Sequence, residues 1–194
     1  MRILAIGSVV AWLAASAGLY GQVNGACEQP LETALQPGAR LRVLLRSGDV
    51  SITGTNPPLL RVTCEVIYPE KSKNVSIRYE SGELRLSGGP KDGMRIKIEV
   101  PKETNLFVRS PHGDLTISSV SGDKDVELRP GDVTIDVGNP ADYKHADASV
   151  RAGNLTATPF AVDRDGLFKS FKKDNAAGKY SLHVHLFTGD VTLR

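Results

Sequence analysis

Six times along the chain a glycine is followed by a short polar or acidic residue, and carboxylates that recur in this way could bind metal ions. The six residues are Asp49, Glu83, Asp114, Asp132, Asn154 and Asp190. Calcium-binding repeats present carboxylates at fixed intervals, whereas these glycines are 34, 31, 18, 22 and 36 residues apart and one of the six residues is an amide. We therefore interpret the six as turn formers and assign no metal ligand.

Two histidines lie close together in the segment "SLHVHLF". His183 and His185 flank the apolar Val184, so both rings are expected on the same outer face of a strand. Two imidazoles at this spacing could share a metal ion, but no third ligand can be identified, and neither His112 nor His145 can be placed beside them. A solvated strand face is the simpler interpretation, and no cofactor is expected.

Three arginines occur two positions before a repeated glycine, at Arg46, Arg129 and Arg151. Such a column of cations on one edge could bind an acidic glycan. Alternatively, the arginines could pair with the acids that follow the glycines, Asp49 and Asp132, as exposed ion pairs of little energetic weight. The second interpretation is preferred.

The sequence contains no motif for nucleophilic catalysis. It lacks a Gly-x-Ser-x-Gly elbow and a Gly-x-x-x-x-Gly-Lys phosphate loop, and "SGGPKDG" has the glycines without the spacing. Paired carboxylates for glycoside hydrolysis would be recognisable only in three dimensions. We assign no catalytic residue and expect a protein that is not an enzyme.

The elements that carry these residues are pairs of short strands meeting at a glycine. Apolar residues lie five and three positions before each glycine and two and four positions after it, with Ser110 as the exception. The apolar positions three before and two after the glycine are separated by an odd number of residues. In a straight strand they would therefore face opposite sides of the sheet, and a bend at the glycine turns both towards the same side. The predicted structural corners are Gly48, Gly82, Gly113, Gly131, Gly153 and Gly189.

Repeated corners predict an all-β fold. The expected form is a repetitive β-solenoid, similar to a right-handed parallel β-helix, in which each coil buries its apolar row against its neighbours. A β-sandwich is the alternative. The segment 162–181 breaks the rhythm, and Leu167, Phe168 and Phe171 have the spacing of a short helical turn. We expect a long loop or short helix that caps the last coil, or an apolar patch that binds a partner.

The N-terminus predicts export. Residues 1–21 combine a minimal positive start, an apolar run and small residues suited to cleavage near residue 17 or 21, which is typical of a signal peptide. Residues 22–39 are expected to form a lead-in and residues 40–194 the repeat domain, without a membrane anchor after cleavage. The net charge of +2 indicates no nucleic-acid partner.

The two cysteines of the expected mature chain are Cys27 and Cys64. In an oxidising compartment they could form a disulfide that ties the N-terminus to an early strand. Two unrelated thiols are the alternative.

The phrases "GDVSITG", "GDLTISSVSGDKDVELRPGDVTID" and "GLFKSF…GKYSLHVHLFTGDVTLR" resemble the bacterial putative-adhesin domain family of β-strand repeats, over residues 40–194. The resemblance implies an exported β-solenoid without a cofactor, and it carries over no functional residue.

We therefore expect a structural or adhesion module of the bacterial envelope, located in the periplasm or at the cell surface, whose partner is an unidentified protein or glycan. The alternatives are a glycan-active enzyme on a β-helix scaffold and a soluble carrier or sensor that binds an apolar ligand.

Overall fold

The computed structural model describes residues 22–27, 29–68, 74–90 and 92–194, so the predicted signal peptide (1–21) lies outside the described residues. Almost all regular structure in the described part is β-strand, and 3₁₀ turns lie at Pro140–Asp142 and Thr158–Phe160. The strands are β1 (Val23–Gly25), β2 (Leu31–Ala34), β3 (Arg40–Leu44), β4 (Asp49–Thr55), β5 (Leu59–Val66), β6 (Ser76–Glu80), β7 (Glu83–Ser87), β8 (Met94–Pro101), β9 (Asn105–Ser110), β10 (Leu115–Ser118), β11 (Lys124–Pro130), β12 (Val133–Ile135), β13 (Tyr143–Ala152), β14 (Leu155–Ala157), β15 (Val162–Arg164), β16 (Leu167–Asp174), β17 (Tyr180–Thr188) and β18 (Val191–Leu193).

The strands form two nine-stranded mixed sheets. The first sheet has the order β1-β6-β7-β3-β9-β11-β17-β13-β16, and the second has the order β15-β14-β18-β12-β10-β4-β8-β5-β2. The six central strands of the first sheet, from β7 to β13, pair in parallel. The central strands of the second sheet, from β14 to β8, also pair in parallel.

Period-two alternation explains why these segments form strands between two layers. In β8, Met94, Ile96, Ile98 and Val100 are buried while Arg95 and Lys97 are exposed. The same alternation fills the space between the sheets with leucine, valine and isoleucine side chains that form one core cluster. The aromatic rings of Phe160 and Phe171 also join this core, with their centroids 5.3 Å apart.

The stacking of the strand pairs departs from the predicted solenoid. A strand of the first sheet leads into a strand of the second sheet in each pair, and the pairs stack in the order β7/β8, β3/β4, β9/β10, β11/β12, β17/β18, β13/β14. In a solenoid each coil would stack on the one that precedes it in the chain, whereas here the order reverses at both ends of the stack. The all-β prediction is confirmed, a solenoid is not shown, and two facing sheets are consistent with the β-sandwich alternative.

Short antiparallel strands close the edges of both sheets. Strand β1 pairs with β6 and strand β2 with β5, so residues 22–39, expected as a lead-in, contribute an edge to each sheet. A disulfide joins Cys27, which follows β1, to Cys64 in β5, with Cα atoms 4.8 Å apart. The bridge therefore links the segment between the two edge strands to the second sheet.

The strands at the other edge of each sheet show that the expected loop or helical cap is wrong. Strand β16, Leu167–Asp174, pairs antiparallel with β13, and β15 pairs antiparallel with β14, so the segment is extended and not helical. Phe171 faces the core and is 7 % exposed, whereas Leu167 and Phe168 are 65 % and 71 % exposed. At an edge strand the buried positions are few, and the three apolar residues therefore gave a false helical period.

Gly82 differs from the other five predicted corners, because the two strands that meet there lie in the same sheet. Ser81 and Gly82 form the two-residue turn of the antiparallel hairpin β6–β7, with φ of +49° and +81°. Positive φ at both central residues is the requirement of the tight hairpin turn whose twist matches the flanking strands. Both strands therefore stay in the first sheet.

The other five glycines, Gly48, Gly113, Gly131, Gly153 and Gly189, all lie between the sheets, and their backbones stack in one column. A Cβ on Gly131 would lie 2.2 Å from the carbonyl oxygen of Gly113, and a Cβ on Gly189 would lie 2.0 Å from that of Gly131. Gly131 has a φ of +140°. The column therefore needs glycine for the space as well as for the backbone conformation.

One polar pair interrupts the apolar core. Lys124 is 1 % exposed, and its Nζ donates to the hydroxyl of Tyr143 at 2.7 Å and to the carbonyl of Gly122 at 3.1 Å. The Tyr143 hydroxyl donates in turn to the carbonyl of Val137 at 3.2 Å. Burial lowers the pKa of Lys124 to about 8 and raises the pKa of Tyr143, because each charged form is disfavoured away from water.

Alanine substitution at two positive-φ glycines separates crowding from backbone strain. Gly131→Ala should lower the free energy of unfolding by at least about 3 kcal/mol, because the neighbouring carbonyl must move. Gly138→Ala, at φ +71° with no atom within 4 Å of the added Cβ, should cost only about 1 kcal/mol. Urea unfolding followed by far-UV circular dichroism measures both values, since the single tryptophan, Trp12, lies in the predicted signal peptide. Equal losses would refute the tight column.

Lys124→Met should remove a rise of stability with pH. The folded pKa of Lys124 is lowered, so the unfolded chain binds more protons between about pH 8 and 10, and the wild type gains stability as the pH rises through this window. The difference in stability between variant and wild type should therefore fall by about 3 kcal/mol in favour of the wild type between about pH 8 and 10. Unfolding at several pH values measures it, with exposed Lys144→Met as the control. Parallel stability curves for wild type and variant would contradict the assignment.

Candidate functional site

The repeated acids form a hydrogen-bonded ladder along the corners. The backbone N–H of Asp132 donates to Asp114 Oδ1 at 2.8 Å, and the N–H of Asp190 donates to Asp132 Oδ1 at 2.8 Å. Asp49 begins the ladder at a longer distance, 3.3 Å to Asp114 N, and Asn154 ends it on Asp190 Oδ1 at 2.8 Å. Each of these carboxylates therefore bonds to the backbone of the adjacent strand pair.

Glu83 lies outside this ladder, in agreement with its place in a hairpin. Its carboxylate pairs with Arg85 at 2.6 Å and with Arg42 at 3.7 Å. Over the described ranges, no group of three or more histidine, cysteine or acidic residues is arranged to hold a metal ion. The acids at the corners thus have a structural partner in the adjacent backbone.

The histidines of β17 both lie on the exposed outer face of the first sheet. His183 Nδ1 bonds to Asp147 Oδ1 at 2.7 Å, and His185 Nδ1 bonds to Ser149 Oγ at 2.8 Å. In a catalytic triad one imidazole bridges the acid and the hydroxyl through its two nitrogens. Here the acid and the hydroxyl engage different rings, so these four residues do not form a triad.

A third histidine pairs with an acid on the same face. His145 Nδ1–H donates to Asp174 Oδ1 at 2.6 Å, across the β13–β16 edge. This hydrogen bond lowers the pKa of Asp174. The contact fastens the edge strand to the sheet.

The most distinctive surface is a row of alternating cations and rings across the outer face of the first sheet, next to the corners. The pairing of neighbouring strands near the corners is defined by five pairs of residues that lie opposite each other: Leu44 with Arg109, Ser110 with Leu128, Leu128 with Leu186, Leu186 with Val150, and Val150 with Lys169. Continuing each register towards the corner places six side chains side by side, in the order Arg46, Pro111, Arg129, Phe187, Arg151 and Phe168. We call these six residues the arginine–ring row.

Five of the six members are exposed, and Pro111 is half-buried. The guanidinium carbon of Arg151 lies 4.7 Å from the ring centroid of Phe187 and 5.7 Å from that of Phe168. Phe187 is 45 % exposed, and Phe168 has a φ of +53°. A bulky residue in the left-handed region is an uncommon conformation with a local energetic cost. That conformation accompanies a ring that stays in solvent beside Arg151.

The expected ion pairs of these arginines with Asp49 and Asp132 are absent. Within the described ranges, Arg46, Arg129 and Arg151 have neither an ion pair nor a hydrogen bond to another side chain. Other arginines do pair with carboxylates, namely Arg42, Arg61, Arg78, Arg85, Arg109 and Arg194. The row is therefore a line of arginines that have no ion-pair partner in the described part of the chain, with apolar rings between them.

Sequence reasoning identified the three arginines but missed the rings between them. Phe187 occupies the same position relative to Gly189 as Arg151 does relative to Gly153, two residues before the glycine. The alignment of the repeats therefore contained the signal for Pro111 and Phe187. Phe168 follows no repeated glycine and becomes a neighbour only through the antiparallel pairing of β16.

Comparison with known proteins gives one distant structural likeness. A crystal structure of a "putative cell adhesion protein" from Clostridium sporogenes is similar over 85 % of this chain and 98 % of that chain, with 14 % identity and a TM-score of 0.47. No family model and no curated protein matches the chain. The family resemblance therefore stays a prediction.

The described part of the chain holds no helix of sufficient length and apolar character to cross a membrane.

Substitutions at Asp132 test whether the ladder is structural. Asp132→Ala should lower the free energy of unfolding by about 1 kcal/mol, because the N–H of Asp190 loses its acceptor. Asp132→Asn should cost less, since the amide oxygen can accept the same bond and one of several stacked like charges is removed. Denaturant unfolding measures both. A loss in Asp132→Asn as large as that in Asp132→Ala, or stabilisation by calcium beyond that of a salt of equal ionic strength, would favour a metal site instead.

Proposed function

We propose that this protein is an exported, non-enzymatic interaction module of the bacterial envelope, which binds an anionic partner through the arginine–ring row. The observation that carries the proposal is the set of three arginines without a counter-charge, separated by rings, on one face of a sheet. Arginine and aromatic side chains are the residue types that contribute most to binding at interfaces. Arg129 and Arg151 lie on paired strands, which hold them in a fixed geometry, and Arg46 follows the end of β3.

The export component of the proposal is supported by the sequence and by the disulfide. A Cys27–Cys64 bridge is compatible with an oxidising compartment. The predicted signal peptide gives the route to that compartment. Both features fit a protein that acts in the periplasm or at the cell surface.

The non-enzymatic component is supported by the geometry of the exposed polar groups. Ser149, Asp147 and the two histidines of β17 do not form a relay. The corner acids are engaged by backbone N–H groups of the adjacent strand pairs. These arrangements favour binding over chemistry at the same surface.

The proposal predicts that the chain from Gln22 to Arg194 adheres to isolated bacterial envelope fragments. Arg129→Gln combined with Arg151→Gln should reduce the bound fraction about tenfold, because two unpaired cations are lost. The matched control is Arg78→Gln with Arg85→Gln, which removes the same charge from the same face but from arginines already paired with glutamates. Co-sedimentation with the fragments measures binding, and an unchanged far-UV spectrum establishes that each variant is folded.

Two results would contradict the proposal. Equal losses in the two double variants would show attraction by general charge and not by the row. Shortening of envelope polysaccharides during incubation, detected by size-exclusion chromatography, would favour the glycan-active enzyme.

A further inference from the structure

We infer that the partner of the arginine–ring row is a linear acidic polysaccharide that carries a carboxylate on every second sugar. This inference rests on the proposed function and names the ligand class for the same surface. It follows from the order of the residues in the row, from their spacing and from their missing counter-charges.

The row alternates one cation with one ring along its full length. Its order is Arg46, Pro111, Arg129, Phe187, Arg151, Phe168; the last four lie within β11, β17, β13 and β16, and the first two follow the ends of β3 and β9. Neighbouring strands lie about 4.8 Å apart, so successive arginines are about 10 Å apart. The three arginines therefore repeat at an interval comparable with the length of a disaccharide in an extended chain.

The chemistry of the two alternating groups matches such a chain. A guanidinium binds a carboxylate through two parallel hydrogen bonds, and this geometry selects planar anions over point charges. The flat faces of Phe187 and Phe168 offer apolar surface for the C–H face of a sugar ring. An uronate sugar would lie at each arginine and an uncharged sugar at each ring.

Charges next to the row do not oppose this arrangement. The adjacent row of the same face, further from the corners, contains one acid among its described members, Glu127. Glu127 pairs with Arg109 at 3.1 Å. The acids on the other side of the corner glycines keep their charge, but they bond to backbone N–H groups and form no ion pair with the row. An approaching polyanion thus meets arginines that are not engaged by a carboxylate of the protein.

A lipid surface is a poorer match for this pattern. Membrane-binding elements gather their apolar side chains on one side and surround them with basic residues. In the row, cations and rings alternate one by one across a sheet face. The exposed pair Leu167 and Phe168 does provide some apolar surface, so anionic vesicles form one arm of the test.

The probe is a series of hyaluronan oligosaccharides of increasing length, whose repeating disaccharide carries one carboxylate. Calorimetric titration of the chain 22–194 should show affinity that rises with length until three disaccharides are spanned and then levels off. Neutral chitin oligosaccharides of the same lengths should not bind. Raising the salt concentration should weaken binding, because the contacts are exposed ion pairs.

Variants assign the binding to the row. Arg129→Gln with Arg151→Gln should weaken hyaluronan binding about tenfold or more, and Phe187→Ala should weaken it without changing the salt dependence. Arg78→Gln with Arg85→Gln, the same charge change on paired arginines, should leave the affinity within about twofold of the wild type.

Three results would overturn the inference. One is binding to vesicles of anionic phospholipid with no binding to hyaluronan. A second is equal loss of affinity in the two double arginine variants. The third is adhesion to envelope fragments that requires Arg129 and Arg151 while hyaluronan neither binds nor competes, in which case the proposed function stands and the ligand class is wrong.

Discussion

The stacked corner glycines constrain the rest of the structure. Five glycines bring their backbones so close that the carbonyl oxygen of one occupies the space that a Cβ of the next would need. Since this contact sets the position of each strand pair relative to its neighbours, it fixes the register of both sheets at once. The buried aliphatic residues on either side of the corner then face the core in every pair.

The same contact determines where functional side chains can lie. Residues two positions before a corner glycine face outward and fall into one straight row, because neighbouring pairs have no shift in register there. A row of this kind can collect side chains from segments that are distant in sequence, such as Arg46 and Arg151. Its straightness comes from the backbone and does not depend on contacts between the side chains themselves.

Local pattern in the sequence was sufficient for some features and insufficient for others. The alternation around Gly131 or Gly189 predicts two strands and their inward residues, because that information is local. The stacking order was not predictable, since it depends on which pairs meet in space and the chain reverses at both ends of the stack. Gly82 shares the repeated phrase, yet the residues around it pair within one sheet. The strand at Leu167–Asp174 was missed because an edge strand buries few of its residues.

The geometry of the corners also explains why the arginines of the row form no ion pairs with the corner acids. Asp49 and Asp132 follow the glycines by one residue and could in principle turn back towards Arg46 and Arg129. Their carboxylates instead accept hydrogen bonds from backbone N–H groups of adjacent strand pairs, and these bonds hold the acids on the far side of the corner. The arginines are therefore left without a local partner. The ladder that stabilises the scaffold is thus the reason that the positive charge of the row remains available to a ligand.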